Sequence, residues 1–530
     1  MNLPHVRDLY DERQGQAPTA PDLAGAPPEP TPSERRRFLT DLGNARRLVE
    51  RHGENLRHVR EWGWLVWDGR RWARDDNGAV ARMAKDAVLT LYNEAADDLG
   101  RAAAELQRLG EDAARRQAEA LLGDDGDGAV LGDTQRAREA LGKAQKSALH
   151  RLAWAQASQA RARLDAMVAL AATELEVVAR PAEFDADPWL LNCENGTLDL
   201  RTGALREHRR DDLITKLAGT THDADADCPL WHGFLLDITE GNAELLAYLQ
   251  RMAGLALTGD TSEQSFHLLW GTGANGKTTF TSALLALLGE YGTSTRIETL
   301  LMRRDNSIPN DVAALMGARL VLASEIPDGR RLNETLIKDV TGGDPITARE
   351  LYKEFFTFTP TFKLWLFGNH RPAIRGTDLG IWRRVRLVPF TVTIPPEEQD
   401  ADLPAKLRAE LPGILNWAVE GCLAWQRDGL QAPALVQAAT ADYRAEQDVL
   451  GAFLADATVQ GDNMGVQAAE LYAAYVQWCD ENGEHAVSGT AFGRAMTERG
   501  VAKENRDWGG RRNVNVYIGI GLPADDDALL

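Results

Sequence analysis

Phe266-His-Leu-Leu-Trp270, Gly271-Thr-Gly-Ala-Asn-Gly-Lys-Thr278 and the stretch from Phe280 to Leu288 follow one another in the chain. The first run is short and apolar, the second is rich in glycine, and the third is apolar at helical spacing and closed by Gly289. Strand, Gly-x-x-x-x-Gly-Lys-Thr and helix, in that order, make a phosphate-binding loop. The residue types follow from the chemistry. Gly271, Gly273 and Gly276 let backbone N–H groups wrap phosphates, and Thr272, Ala274, Asn275 and Thr279 complete the nucleotide-contacting segment. Lys277 balances charge on the β and γ phosphates and Thr278 ligates Mg²⁺, so the implied ligands are ATP and Mg²⁺.

Working outward, such a loop needs a metal-side carboxylate on a neighbouring strand. Arg319-Leu-Val-Leu-Ala-Ser-Glu325 supplies an apolar run ending in Glu325, which either polarises the attacking water or holds the Mg²⁺ shell. A further run, Phe362-Lys-Leu-Trp-Leu-Phe-Gly-Asn369, ends in an amide able to orient water or sense the γ-phosphate. In Gly380-Ile-Trp-Arg-Arg-Val-Arg386, Arg383 or Arg384 is the candidate finger for a neighbouring subunit's γ-phosphate.

The flanks have their own patterns. Residues 1–32 read as a flexible arm, since 14–33 are rich in Pro, Ala and Gly with few large apolar side chains. A helix capped by Ser33 is expected to run to Arg51, before Gly53. Trp64-Leu-Val-Trp-Asp-Gly-Arg-Arg-Trp72 predicts a hairpin with a two-residue Asp-Gly turn. Residues 80–180 predict long helices interrupted at Gly123-Asp-Asp-Gly-Asp-Gly128, with a coiled coil as the competing reading. Trp189 to Gly203 predicts short strands around an Asn-Gly turn. At the far end, Ala468–Cys479 and Ser488–Arg499 predict two helices, and Asn513–Ile520 closes a hairpin after them. Helix, helix, wing is the order of a winged-helix module. From Ala486 to Ile520 six basic residues face three acidic ones, which favours duplex DNA binding through Arg511 and Arg512, with protein contact as the alternative.

The 530 residues carry a net charge of −20, so any DNA contact has to be local. The four cysteines contain no Cys-x-x-Cys pair, which predicts no zinc cluster and no disulfide framework, only isolated buried thiols in a reducing cytosol. No stretch predicts a signal peptide or a membrane span, and no membrane partner is expected.

The segment from Gly271 to Phe390 resembles the superfamily 3 helicases, specifically the phage and plasmid primase-helicases related to the poxvirus primase-helicase. Gly-Ala-Asn-Gly-Lys-Thr-Thr-Phe280, Leu-Val-Leu-Ala-Ser-Glu325, Lys338-Asp-Val-Thr-Gly-Gly-Asp-Pro-Ile-Thr-Ala-Arg349, Leu-Trp-Leu-Phe-Gly-Asn369 and Ile-Trp-Arg-Arg-Val-Arg-Leu-Val-Pro-Phe390 match its motifs in order. Many family members carry two acidic residues where Ser324-Glu325 stands, which leaves the roles of Ser324 and Glu325 undivided. The resemblance implies an α/β P-loop NTPase core of AAA+-like type over 216–440, after a mainly helical region over 33–215 and before a winged-helix region over 441–530. It also implies a homohexamer acting on single-stranded and forked DNA. A hairpin facing the ring pore would put Arg349 and Lys353 on DNA phosphates, with Tyr352 and Phe355 beside them and Lys338 at the segment's start. The stretch before the helical region is too short for the primase domain of many relatives, so a separate primase of the same element, or none, is expected. The function implied is an ATP-dependent helicase for a phage, prophage or plasmid. The alternatives are an ATP-switched origin-binding or loading protein and, less favoured, a small-molecule kinase.

Overall fold

A computed structural model describes residues 39–120, 128–302, 310–349, 355–374 and 379–523. The arm expected over 1–32, the Gly123-to-Asp127 interruption, Tyr352 and Lys353 lie outside the described residues. The chain divides into two compact units, residues 1–67 with 73–181 and residues 68–72 with 182–530. Among the described residues no helix is long and apolar enough to cross a membrane.

Among the described residues the first unit opens with α1 (Asp41–His52), whose cap is Thr40, with Oγ1 accepting from the Gly43 N–H at 3.0 Å. The continuous helix expected from Ser33 to Arg51 is corrected: Thr40 has extended backbone, φ −143° and ψ 164°, so no helix runs through it, and Ser33 itself lies outside the described residues. Strands β1 (Leu56–Val59), β2 (Gly63–Trp67) and β3 (Trp72–Arg74) follow. The Asp68 N–H donates to the Arg71 carbonyl at 3.0 Å, so the two turn residues are Gly69–Arg70 rather than Asp68–Gly69. Asp68 Oδ1 braces the turn, accepting from the N–H groups of Arg70 at 2.8 Å and Arg71 at 2.9 Å. Helices α2 (Ala79–Ala120), α3 (Gly128–Ser158) and α4 (Arg161–Ala171) complete the unit. Arg151 bonds Asp98 at 2.6 Å and Arg138 bonds the Leu109 carbonyl at 3.4 Å, so α2 and α3 run antiparallel.

The second unit begins with a small meander, β4 (Leu190–Cys193), β5 (Gly196–Asp199) and β6 (Ala204–Arg206). Cys193 pairs with Gly196, so the turn is Glu194–Asn195 rather than Asn195–Gly196. Gly196 is a glycine for another reason: a Cβ there would lie 2.5 Å from the Arg206 carbonyl oxygen. Helices α5 (Pro229–Thr239) and α6 (Ala243–Leu257) lead into β7 (Phe266–Trp270), α7 (Lys277–Leu288), β8 (Gly292–Arg296) and β9 (Leu320–Ser324). Then come α8 (Glu334–Gly342), the hairpin β10 (Ile346–Arg349) and β11 (Phe355–Phe358), β12 (Lys363–Gly368), α9 (Leu379–Trp382) and β13 (Val385–Pro389).

Five strands form one parallel sheet in the order β13-β7-β12-β9-β8. Its interior strands read as continuous apolar runs because both faces are buried. Trp365 and Leu322 join one core cluster while Leu364, Leu366, Val321 and Ala323 join the cluster on the other face. Helices α10 (Leu403–Ala409), α11 (Leu411–Asp428) and α12 (Ala434–Glu446) follow the sheet. Helix α11 crosses α6 so closely that a Cβ on Gly254 would sit 2.1 Å from the Cys422 nitrogen.

The chain ends in a mixed segment with its own core around Phe453, Tyr475 and Phe492. Helix α13 (Val449–Ala457), strand β14 (Val459–Gln467), helices α14 (Ala468–Glu481) and α15 (Gly489–Glu498), and strands β15 (Lys503–Trp508) and β16 (Arg511–Gly521) make it up. Gly509 at φ +58° and Gly510 at φ +79° turn the final hairpin, the double positive φ that a two-residue turn needs.

Candidate functional site

In a parallel sheet, ligands bind beyond the carboxyl ends of the strands, where the strand order reverses. Here that point is the end of β7, the first of the five strands in sequence, flanked by β12 and β13. Residues Gly271–Gly276 leave β7 at this edge and turn into α7. Gly273 at φ +117°, Ala274 at φ +46° and Gly276 at φ +81° are left-handed, which bends the backbone back over the helix end. Gly276 also rests on α5: a Cβ there would come 2.4 Å from Ile238 Cγ2.

Side chains hold the loop from below. Asn275, 3% exposed, donates from Nδ2 to the Phe390 carbonyl at 3.0 Å. The Phe390 N–H donates to the Trp270 carbonyl at 2.7 Å and the Ile394 N–H to the Ala274 carbonyl at 2.7 Å. Lys277, 5% exposed, donates from Nζ to the Gly271 carbonyl at 2.8 Å and to Asn275 Oδ1 at 2.9 Å. Both acceptors are neutral, and burial lowers the lysine pKa to about 8. Thr272 is exposed on the loop, Thr278 is exposed in the first turn of α7 and Thr279 beside it is half-buried.

The other strand ends meet this edge in register. Gly368 pairs with Trp270, and Phe367 with Ser324, so Asn369 and Glu325 emerge beside Gly271. Glu325 is exposed and left-handed at φ +64°, a conformation that costs an L residue about 1–2 kcal/mol. Trp270 Nε1 donates to the Asn369 carbonyl at 3.0 Å, fixing the end of β12. Sequence reasoning passed over Arg371, which stacks 4.9 Å from the Trp270 ring and pairs with Glu446 at 2.7 Å.

The arginines lie elsewhere. Val385 pairs with Phe266, and the Phe266 N–H donates to the Arg384 carbonyl at 2.8 Å, so Arg383 and Arg384 sit at the opposite edge of the sheet. A five-residue strand spans about 16 Å. Arg384 is 7% exposed and donates to Thr341 Oγ1 at 3.1 Å and to the Gly380 carbonyl at 2.9 Å. Arg383 is exposed and bonds Gln264 Oε1 at 3.1 Å.

The remaining candidates fall on three other elements. Lys338 is half-buried on α8. Arg349 ends β10, exposed, with its guanidinium 4.9 Å from the ring of Phe355, which is itself 61% exposed. Arg511 and Arg512 are exposed at the start of β16, and Arg511 reaches Gln467 Oε1 at 3.2 Å.

Comparison with known proteins adds the following. Residues 45–240 match a family described as "D5 N terminal like", and residues 269–384 match a family of unknown function. The mimivirus protein named "Putative helicase L207/L206" is 30% identical over 324 residues, covering 56% of this chain and 34% of that protein. The African swine fever virus protein named "Putative primase C962R" is 28% identical over 233 residues, covering 39% of this chain and 24% of that protein. This chain therefore spans about a third or less of the length of these two relatives. Among solved structures, the apo C-terminal region of NrS-1 is similar with a TM-score of 0.38 at 10% identity, covering 66% of this chain and 86% of that one.

Proposed function

We propose that this chain, which is similar to the D5-type primase-helicases, is an ATP-driven DNA helicase for the replication of a phage, prophage or plasmid and works as a ring, a hexamer by family analogy. The observation that carries this reading is Lys277. Its ammonium is buried with carbonyl oxygens as its acceptors and forms no ion pair with a described carboxylate. A buried cation at a helix N-terminus, framed by left-handed residues, fits a triphosphate better than any group of the protein itself.

In this reading Gly271–Gly276 is a P-loop whose backbone N–H groups wrap the phosphates. Thr278 would hold Mg²⁺ with Glu325, and the metal would neutralise charge on the β and γ oxygens. Glu325 also stands where it can polarise the attacking water, while the Asn369 amide orients that water or senses the γ-phosphate. Arg383 or Arg384 would serve a neighbouring subunit, since both are a sheet's length from their own loop. Arg383 suits that role better because its guanidinium is exposed, whereas Arg384 is committed to Thr341 and Gly380. Arg349, Phe355 and Lys338, with Tyr352 and Lys353 between the hairpin strands, would grip DNA in the ring pore. The segment 441–530, helices followed by a hairpin bearing Arg511 and Arg512, would act as a winged helix on duplex DNA.

Two measurements test the proposal. Calorimetry should find Mg·ATP binding that Lys277→Ala removes, and a forked duplex should lose its displaced strand only with ATP and the wild-type chain. Absence of nucleotide binding in folded protein would sink the motor reading. DNA-stimulated hydrolysis without strand release would instead select the origin-binding or loading alternative.

A further inference from the structure

Away from the glycine loop, the first turn of α5 gathers three unlike donors. Asp227, Cys228 and His232 bring a carboxylate oxygen, a thiol sulfur and ring nitrogens within 4.8 Å of one another. Cys228 Sγ lies 3.9 Å from His232 Nε2 and 4.0 Å from Nδ1. Zinc with sulfur at about 2.3 Å and nitrogen at about 2.0 Å in tetrahedral geometry holds those two atoms about 3.5 Å apart. The sulfur and the nearer ring nitrogen therefore lie within about half an ångström of ligand spacing. The helix itself arranges this: the His232 N–H bonds the Cys228 carbonyl at 3.0 Å, stacking residues i and i+4 on one face.

The charge around the cluster is a second, independent observation. Glu410 accepts from the Leu230 N–H at 3.1 Å and the Trp231 N–H at 2.9 Å, which puts its carboxylate at the same helix end. With Asp227 there too, carboxylates surround the cluster, an environment that favours a cation.

We propose that Asp227, Cys228 and His232 form a zinc-class divalent metal site at the head of α5, with water completing the coordination. Sulfur, imidazole and a single carboxylate suit zinc, whereas Mg²⁺ prefers oxygen ligands throughout. On binding, the Cys228 S–H bond breaks, the sulfur bonds the metal, and one proton leaves to solvent, so affinity falls as pH falls. The site fixes the start of the helix whose Phe234 and Ile238 support Gly276, since a Cβ on that glycine would come 3.0 Å from Phe234 and 2.4 Å from Ile238.

The test is a Co²⁺ titration of the metal-stripped full chain, followed by competition with Zn²⁺. The expected result is a single equivalent with a thiolate-to-cobalt charge-transfer band and intense tetrahedral visible bands, both erased by Zn²⁺. Cys228→Ser and His232→Ala should each lose the charge-transfer band, while serine variants of Cys193, Cys422 and Cys479 keep it. His232 is exposed, so its alanine variant should retain the far-ultraviolet spectrum of the fold. If Cys228→Ser fails to fold, His232→Ala and Asp227→Asn still decide the matter. A wild-type chain without the band, or a band undiminished in His232→Ala, overturns the proposal.

Discussion

Lys277 has a titration that nucleotide binding should reverse. Its folded-state pKa of about 8 lies below the ordinary 10.5, so burying the ammonium costs stability while both folded and unfolded forms are protonated. That cost is relieved as pH rises from about 8 toward 10.5, because only the unfolded form then keeps its proton. A phosphate placed against the ammonium favours the charged form and draws the pKa back up. Calorimetry near pH 8.5, in buffers of different ionisation heat, should therefore detect roughly half a proton or more taken up per nucleotide, and almost none near pH 6.5. Binding without proton uptake at the higher pH would contradict this account of the lysine. Lys277→Ala should cost about a hundredfold or more in turnover, read as phosphate release with the fold checked by circular dichroism. Asn275→Leu is a separate case. It strands the buried Phe390 carbonyl and should lower unfolding free energy by about 1–3 kcal/mol in a denaturant titration.

At the level of elements, α6 and α11 cross in close backbone contact. A Cβ on Gly421 would fall 2.0 Å from the Gln250 carbonyl oxygen, a backbone atom that cannot move aside cheaply. Gly421→Ala should destabilise by about 3 kcal/mol, seen as an earlier urea midpoint, and an unchanged midpoint would mean the helices are not so tightly crossed. Nothing in the residues around 421 announces such a contact, since it is made with a helix far earlier in the chain. The same divide runs through the whole fold. The runs ending at Trp270, Ser324 and Gly368 are legible as strands because burial on both faces leaves them continuously apolar. Strand β8, Gly-Thr-Ser-Thr-Arg296, is not, because an edge strand half open to water carries no such pattern. Sheet order is equally silent, being decided by crossovers. Within the candidate site, the loop, Glu325 and Asn369 can be picked out from motif and run. The bond from Asn275 to Phe390, 115 residues away, and the burial of Arg384 cannot. Local departures had local causes: Thr40 breaks the helical run with its own cap, and the Asp68 carboxylate braces a turn placed one residue later than the Asp-Gly dipeptide suggests.

For the whole molecule, the separation of Arg383 from its own loop makes a prediction about mixtures. Arg383→Ala should lower hydrolysis on the order of a thousandfold if it acts as a finger. Because that action crosses a subunit boundary, mutant chains added to wild type should depress activity more steeply than their share of the mixture. Activity strictly proportional to wild-type content would exclude a role in trans. Strand β13 gives this arrangement a mechanical side. It begins just after Arg384 and ends where Phe390 is clasped to Trp270 and Asn275. An extended strand bonded along its length has no slack to absorb a displacement. Pulling on one tip drags the other, like a connecting rod between two crankpins, so if Arg383 meets a neighbour's nucleotide as proposed, its movement would reach the loop of its own subunit.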